Sequence, residues 1–142
     1  MASTIMLIRH GETAWSRTRK HTGRTDVHLT EAGRADARRL APVLADRTFA
    51  QILVSPLRRA VATAELAGLT GAGRQVDMDP DLVEWDYGQV EGISTESYRQ
   101  THAGWLLWDD GCPGGETVEH VGARADRVLD RCATIKGDVA LV

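Results

Sequence analysis

Short apolar runs alternate along this chain with longer stretches of helical spacing, and this alternation constrains the fold more than any other feature. The apolar runs predict four strands, at 4–8, 49–54, 76–83 and 138–142. Helices are predicted at 31–44, 56–66, 94–102 and 117–135, and the first and last of them show apolar residues at helical spacing. The order strand–helix–strand–helix along most of the chain predicts an α/β fold with a mostly parallel sheet and right-handed crossovers.

The predicted elements differ in their boundary signals. The first two strands are short and apolar, which predicts burial, whereas Pro80 places the third at a sheet edge. Thr30 is the expected N-cap of the first helix, and Pro42 predicts a kink or an early stop within it. Ser55 is the expected N-cap of the next helix, with proline at its first position.

Length and composition exclude several classes of protein. The 142 residues predict a single domain over 1–142, and 42% hydrophobic residues supply a core, which excludes a disordered chain. The net charge of −3 argues against a nucleic-acid partner, and no apolar run is long enough for a membrane span. Cys112 and Cys132 form neither a CxxC pair nor a disulfide framework. These features predict free thiols and a cytoplasmic protein.

Basic residues are concentrated in the first third of the chain. Residues 9–39 contain eight Arg or Lys and four Asp or Glu, a balance of +4, which leaves −7 for the remainder. A solvated basic face would explain this balance. The alternative is an anion-binding site built from the same residues.

Two predicted strand ends favour the anion site. The first strand runs into Arg9-His10-Gly11, and the second into Ser55-Pro56, with Arg58 in the first turn of a helix. Ligands of parallel α/β sheets bind beyond the carboxyl ends of the strands. Arginine presents a fork of donors to phosphate oxygens, a helix N-terminus adds positive potential, and Gly11 lets the backbone approach a ligand. Surface arginines and a hydrogen-bonded histidine are the alternative interpretation.

Four stretches together resemble the histidine phosphatase superfamily, the phosphoglycerate-mutase-like enzymes. In chain order they are Leu7-Ile8-Arg9-His10-Gly11-Glu12-Thr13, His21-Thr22-Gly23 through Leu29-Thr30-Glu31-Ala32-Gly33, Ser55-Pro56-Leu57-Arg58-Arg59-Ala60, and Glu84-Trp85-Asp86-Tyr87-Gly88 through Glu91-Gly92. Each stretch alone is a weak signal, but the combination covers nearly the whole chain. The resemblance implies a three-layer α/β/α fold.

The resemblance also implies roles for residues at the matching positions. His10 would be the nucleophile that forms a phosphohistidine. Arg9 and Arg58 would hold the phosphoryl group, and no metal or cofactor is implied because arginines can neutralise its charge. Glu84 would protonate the leaving group, and partial burial beside Trp85 is expected to favour its protonated form, which predicts an acidic optimum.

Three further positions are implied to contact the substrate. Thr22 would do so through its hydroxyl group, and Gly23 through its backbone N–H. Ser16 stands where the family often has an asparagine that binds phosphate, and its shorter side chain predicts a lost or water-mediated contact.

A second departure from the family pattern concerns the end of the sequence. The family has another histidine, followed by glycine, just after a strand like 139–142, and His21, His28, His102 and His120 do not stand at that position. Stopping in mid-strand leaves an apolar run without its sheet context, which favours a truncated chain over a true absence of that histidine.

The leading function is hydrolysis of small phosphomonoesters, as in the small broad-specificity acid phosphatases of this superfamily. Phosphoglycerate mutases are similar in their motifs but carry a longer insertion than the roughly twenty residues between Gly92 and Gly114, and without it water should reach the phosphohistidine. A mutase and an inactive phosphate-binding domain remain the alternatives. The expected partner is a small phosphorylated metabolite, and a homodimer is compatible with the sequence.

Other motifs are weaker. Asp77, Asp79 and Asp81 alternate as in a calcium loop, but the glycine and closing glutamate positions do not match. Cys112, His120 and Cys132 lack zinc-ligand spacing. The run 105–108, with a tryptophan at each end, is expected in the core or at a dimer contact, with an apolar rim for the substrate as the alternative.

Overall fold

The computed structural model describes residues 4–71 and 73–142. Within them lie four strands, β1 (Ile5–Leu7), β2 (Gln51–Val54), β3 (Val76–Met78) and β4 (Val139–Leu141). The α-helices are α1 (Ala14–Arg17), α2 (Glu31–Leu44), α3 (Arg58–Leu66), α4 (Thr95–Arg99), α5 (Leu107–Asp110) and α6 (Val118–Thr134), with 3-10 helices at Pro80–Leu82 and Gly88–Val90. The strands pair in parallel in the order β1-β4-β2-β3, which confirms the predicted α/β fold.

Alternate side chains of the central strands face different layers of helices. One face of the sheet packs on α2 and α3 through a cluster that includes Leu44, Ile52, Val54, Ala64 and Ala140. The opposite face packs on α6 through Leu53, Val128, Cys132, Val139 and Leu141. The period of two along each strand therefore places helices on both faces, which gives the expected three layers.

The first strand differs from its prediction. Ile5 and Leu7 are 39% and 76% exposed, because β1 is an edge strand that pairs with β4 alone among the described strands. In contrast, β4 lies between β1 and β2 and is buried along its whole length. The apolar run 139–141 is therefore hydrogen-bonded to a strand on each side.

Helix boundaries follow some of the sequence signals. The Thr30 hydroxyl caps α2 by accepting the Gly33 N–H at 3.1 Å, as predicted, and α2 continues through Pro42 to Leu44. Ser55 is not the N-cap of α3. Leu57 is the N-cap, with an extended backbone conformation, so α3 begins at Arg58.

The segment from 88 to 115 forms its own small cluster. Val90, Tyr98, Trp105 and Cys112 are buried together there. The four-residue helices α1 and α5 were not predicted, since neither is long enough to show a period. No helix in the described ranges is long and apolar enough to cross a membrane.

Candidate active site

A cavity of about 560 Å³ opens at the carboxyl ends of all four strands. The segments after the strands supply much of its wall: Arg9 and His10 after β1, Ser55 and Arg59 after β2, Glu84 after β3, and Val142 after β4. A parallel sheet places these strand ends along one edge. The structure therefore brings residues more than 130 positions apart to one cavity.

The imidazole of His10 is held in one tautomer. Its Nδ1 lies 2.7 Å from the Gly11 carbonyl oxygen, which can only accept a hydrogen bond, so Nδ1 carries the proton and Nε2 keeps its lone pair. Burial lowers the pKa of His10 below its ordinary value; the bond to Gly11 and the charge of Glu84 oppose this, and Arg59 and Arg9 reinforce it. His10 therefore presents a neutral, nucleophilic nitrogen.

The cavity is rich in cations. Arg9, Arg19 and Lys20 line it and are exposed. The Arg9 guanidinium has no hydrogen bond or ion pair with any residue of 4–71 or 73–142. Glu84 is the sole carboxylate among the described lining residues. Such a cavity attracts a phosphate dianion.

The two consecutive arginines that begin α3 have different environments. Arg58 does not line the cavity; its side chain is 66% exposed, with Nε 3.3 Å from Asp26 and a second contact to His28. Arg59 does line the cavity and is 2% exposed. Arg58 was expected at the cavity, but Arg59 lies there instead. The inner face of α3 carries Arg59 and, one turn later, Thr63.

Arg59 also holds the loop at 22–25. Its Nη2 donates to the carbonyls of Thr22 at 3.1 Å and Gly23 at 2.8 Å, and its Nη1 donates to that of Thr25 at 3.0 Å. The Glu91 carboxylate accepts the N–H groups of Gly23 at 2.8 Å and Thr25 at 3.0 Å. Arg59 thus binds the backbone carbonyl groups of this loop, and Glu91 binds its backbone N–H groups.

The residues implied to contact the substrate are placed differently from one another. Thr22 lines the cavity, and its hydroxyl donates to the Lys20 carbonyl at 3.0 Å. Gly23 lies outside the cavity lining, and its N–H is bound by Glu91. A side chain there would meet the Trp85 carbonyl at 2.1 Å, so glycine is needed for close packing.

Ser16 lines the cavity, but its hydroxyl is engaged in capping α1. It accepts the Thr13 N–H at 2.8 Å and lies 3.1 Å from the Thr13 carbonyl. The Thr13 hydroxyl in turn accepts the Ser16 N–H, which completes a capping box. This arrangement leaves less of the Ser16 hydroxyl for a phosphate oxygen.

Glu84 is exposed to the cavity rather than partly buried as expected. Its Oε1 accepts the N–H of Trp85 at 2.8 Å. Tyr87 lines the same cavity, and burial, followed by the charge of Glu84, raises the pKa of its phenol. Tyr87 therefore stays protonated and can donate a hydrogen bond.

Gly11 permits close packing of the strand end against α2. A Cβ atom at Gly11 would lie 2.3 Å from the Gly33 carbonyl oxygen, and one at Gly33 would lie 2.2 Å from the Glu12 carbonyl oxygen. The Glu12 carboxylate also accepts the Thr30 hydroxyl at 2.7 Å. These contacts fix the strand end that carries His10 against the start of α2.

The weaker motifs have structural roles. Asp79 binds Arg131, and Asp81 binds Arg127 at 2.6 Å and Arg131 at 3.0 Å, which ties the chain after β3 to α6. Trp105 is buried in the cluster with Val90, whereas Trp108 is 68% exposed. Neither tryptophan lines the cavity.

Sequence reasoning missed several polar residues that line the cavity, among them Arg19, Lys20, Arg59 and Tyr87. The signal for Arg59 was present, since Arg59, Ala60, Thr63 and Ala64 form the inner stripe of α3 at helical spacing. Arg19 follows α1 in the left-handed conformation, with φ of 57°, and nothing in the sequence marks it.

Known proteins match this chain over nearly its whole length. It is 44% identical over 127 residues to an acid phosphatase from Mycobacterium tuberculosis, covering 88% of this chain and 61% of that protein. It is 32% identical over 134 residues to a probable phosphoglycerate mutase from Cronobacter sakazakii, covering 90% of this chain and 62% of that protein. It thus spans about three fifths of the length of these relatives.

The fold also matches a solved structure. An open reading frame product from M. tuberculosis superposes with a TM-score of 0.89 at 39% identity, covering 100% of this chain and 74% of the other. The family model described as histidine phosphatase superfamily (branch 1) matches residues 5–142. The chain therefore belongs to branch 1 of the histidine phosphatase superfamily.

Proposed function

We propose that this chain carries the catalytic site of a phosphomonoesterase that acts through a phosphohistidine at His10 on small phosphorylated metabolites. One observation carries the proposal: a neutral His10 with a free Nε2 lone pair shares a cation-lined cavity with Glu84. Nucleophile, cations and carboxyl group are what phosphoryl transfer requires.

In the first step, the Nε2 lone pair of His10 attacks phosphorus. The bond between phosphorus and the ester oxygen breaks, and the carboxyl group of Glu84 gives its proton to that oxygen, so that an alcohol leaves. In the second step, a water oxygen attacks the phosphohistidine while the Glu84 carboxylate takes the water proton. The phosphorus–nitrogen bond then breaks, and phosphate and neutral His10 are released.

Arg9 and Arg59 neutralise the phosphoryl oxygens in this proposal. The Arg9 guanidinium lies at the cavity wall and has no hydrogen bond or ion pair with the residues that the structure describes. Arg59 spends three of its N–H donors on loop carbonyls, which fixes the orientation of its planar fork, and its remaining donors serve the phosphoryl group. The mechanism requires no metal, since these guanidinium groups supply the positive charge.

Hydrolysis is favoured over transfer back to substrate because the cavity lacks a cover from the segment after Gly88. Of the described residues, none between Gly88 and Leu141 lines the cavity. Residues 88–115 pack on their own cluster with Trp105 and Tyr98 instead. Water can therefore reach the phosphohistidine.

The test is to mix the chain with 4-nitrophenyl phosphate, quench it in base, and look for acid-labile phosphate on His10. The H10A variant is expected to lack this phosphate and to lose at least about 10³ in kcat. Turnover by the wild-type chain without a labelled histidine would contradict the phosphohistidine. No turnover and no label would favour an inactive phosphate-binding domain.

A phosphoglycerate mutase is the second candidate, supported by the similarity to a protein of that name. Incubation with 3-phosphoglycerate separates the two activities. Free phosphate is expected from a phosphatase, whereas accumulation of 2-phosphoglycerate without free phosphate would identify a mutase.

A further inference from the structure

Glu84 stands on a segment that has no regular secondary structure. It lies between the 3-10 helices Pro80–Leu82 and Gly88–Val90. Its carboxylate is hydrogen-bonded to the N–H of the next residue, Trp85, at 2.8 Å. Because that bond is local, the direction of the carboxylate depends on whatever fixes the backbone on each side.

Glu116 binds the two residues after Glu84 by three hydrogen bonds. Its Oε2 accepts the Asp86 N–H, its backbone N–H donates to the Asp86 carbonyl, and its own carbonyl accepts the Trp85 indole N–H, each at 2.9 Å. Glu116 also lies 3.5 Å from Arg24, which follows Gly23 in the loop beside the cavity.

Arg124 of α6 connects Glu116 to the residue before Glu84. Its Nε and Nη2 donate to the two carboxylate oxygens of Glu116 at 2.7 and 2.8 Å. This bidentate ion pair fixes the plane of the guanidinium group relative to that of the carboxylate. Its Nη1 donates to the carbonyls of Asp81 and Val83, both at 2.8 Å. The backbone is therefore held on both sides of Glu84 by one ion pair.

This ion pair is shielded from water. The side chains of Arg124 and Glu116 are 12% and 16% exposed. Burial raises the pKa of Glu116, but the hydrogen bonds from Arg124 and from the Asp86 N–H outweigh it, so the pKa lies below its ordinary value. Glu116 thus remains a carboxylate, as the paired arrangement requires.

A role in packing α6 against the sheet is the alternative explanation. However, α6 has separate ion pairs for that purpose, from Arg127 to Asp81 and from Arg131 to Asp79 and Asp81. Those pairs do not touch Val83, Trp85 or Asp86. Arg127 therefore offers a control: an arginine of the same helix that binds the Asp81 side chain but makes none of the contacts to Val83, Trp85 or Asp86.

We infer that Glu116, paired with Arg124, is a positioning residue that directs the Glu84 carboxyl group at the leaving oxygen. This inference rests on the proposed function. A misdirected Glu84 matters most when the leaving oxygen is a poor leaving group and must be protonated. It matters little when the leaving group is a stable anion such as 4-nitrophenolate.

The experiment compares glycerol 2-phosphate, an alkyl ester, with 4-nitrophenyl phosphate in the full chain. We expect E116Q to lose about tenfold or more in kcat on the alkyl ester and about threefold or less on the aryl ester. In an E84Q background, adding E116Q is expected to cost nothing further on the alkyl ester, since both act at one step. R127Q is expected to match the wild type on both esters.

Equal losses on the two esters, or additive losses in the double variant, would overturn the inference and leave Glu116 a structural role. If E116Q does not fold, as judged by circular dichroism, R124K replaces it. This variant keeps the charge but cannot bind both oxygens of Glu116 and both carbonyls, so the same selective loss is expected. A failure of the proposed function is distinct, because the wild-type chain would then turn over neither ester.

Discussion

At the scale of single residues, the neighbours Arg58 and Arg59 show how one helical step decides a role. Arg58 contacts Asp26 in solvent, whereas Arg59 is buried, lines the cavity and holds three loop carbonyls. The motif alone does not say which arginine faces inward. The side of α3 on which each lies does, and it places Arg59 at the cavity, where we propose that it contacts the phosphoryl group.

The same substitution at the two positions tests this assignment. R59K keeps the charge but not the planar fork, so kcat/KM for 4-nitrophenyl phosphate should fall by about 10² or more. R58K should stay within about threefold of the wild type, because an exposed ion pair contributes little. Steady-state kinetics on both variants make the comparison, and a larger loss in R58K would contradict it.

The titration of His10 is a second prediction at this scale. Burial holds its pKa below the ordinary 6.5, so the imidazole stays neutral and nucleophilic into mildly acidic solution. We expect NMR titration to give a value below 6.5. R9M should raise the pKa of His10, since the charge of Arg9 lowers it.

The pH dependence of stability follows with a definite sign. Below about pH 6.5, His10 is protonated in the unfolded chain but still neutral in the folded chain. The unfolded chain therefore binds more protons, and the free energy of unfolding falls as pH is lowered. This contribution should disappear in H10Q. An H10Q variant with an unchanged slope of stability against pH would show that His10 does not titrate in this way.

At the scale of elements, the contact between the His10 strand end and α2 depends on two glycines. A Cβ atom at Gly33 would overlap the backbone of Glu12, with the carbonyl oxygen at 2.2 Å and the nitrogen at 2.5 Å. We expect G33A to lower the free energy of unfolding by about 1–3 kcal/mol. Urea unfolding followed by circular dichroism gives the value.

Gly122 of α6 is the matched control for that substitution. It is exposed within the helix, and nothing lies within 4 Å of a Cβ atom there. G122A should therefore stabilise the chain by about 0.5–1 kcal/mol through helix propensity. If both variants moved stability in the same direction, the close-packing argument for Gly33 would fail.

The elements that sequence predicted well are those with a period or a cap. The helices α2, α3 and α6 show 3.6-residue spacing, and Thr30 marks the start of α2. The exposure of Leu7 was not predictable, because the burial of a strand depends on its position in the sheet. That position follows from β4 inserting between β1 and β2, a long-range pairing that no local pattern encodes.

The sequence predicted the candidate site where a motif contains one residue able to fill a role. It did not where two neighbours, such as Arg58 and Arg59, could fill the same role. His10, Arg9 and Glu84 come to one cavity as expected. Gly23 does not reach the cavity lining, because its N–H binds Glu91, which lies 68 residues further along. Such a partner can be found only when the fold is known.

At the scale of the whole molecule, the cavity exists only in the folded chain. Its walls come from the ends of all four strands, from Ile8 to Val142, and an unfolded chain cannot bring them together. A phosphate ion that binds there binds the native state alone. Linkage then predicts stabilisation by about 2.7 kcal/mol at a phosphate concentration 100 times Kd.

Thermal unfolding against phosphate concentration measures this effect at constant ionic strength, with chloride as the replaced anion. We expect the Tm to rise with phosphate and to rise less in R9M, which removes a guanidinium group from the cavity wall. R127Q should shift as the wild type does, since Arg127 binds Asp81 away from the cavity. If chloride raised the Tm as much as phosphate does, or if the Tm of R9M and of the wild type rose equally, phosphate would act elsewhere. The convergence of four strand ends would then have no part in anion binding.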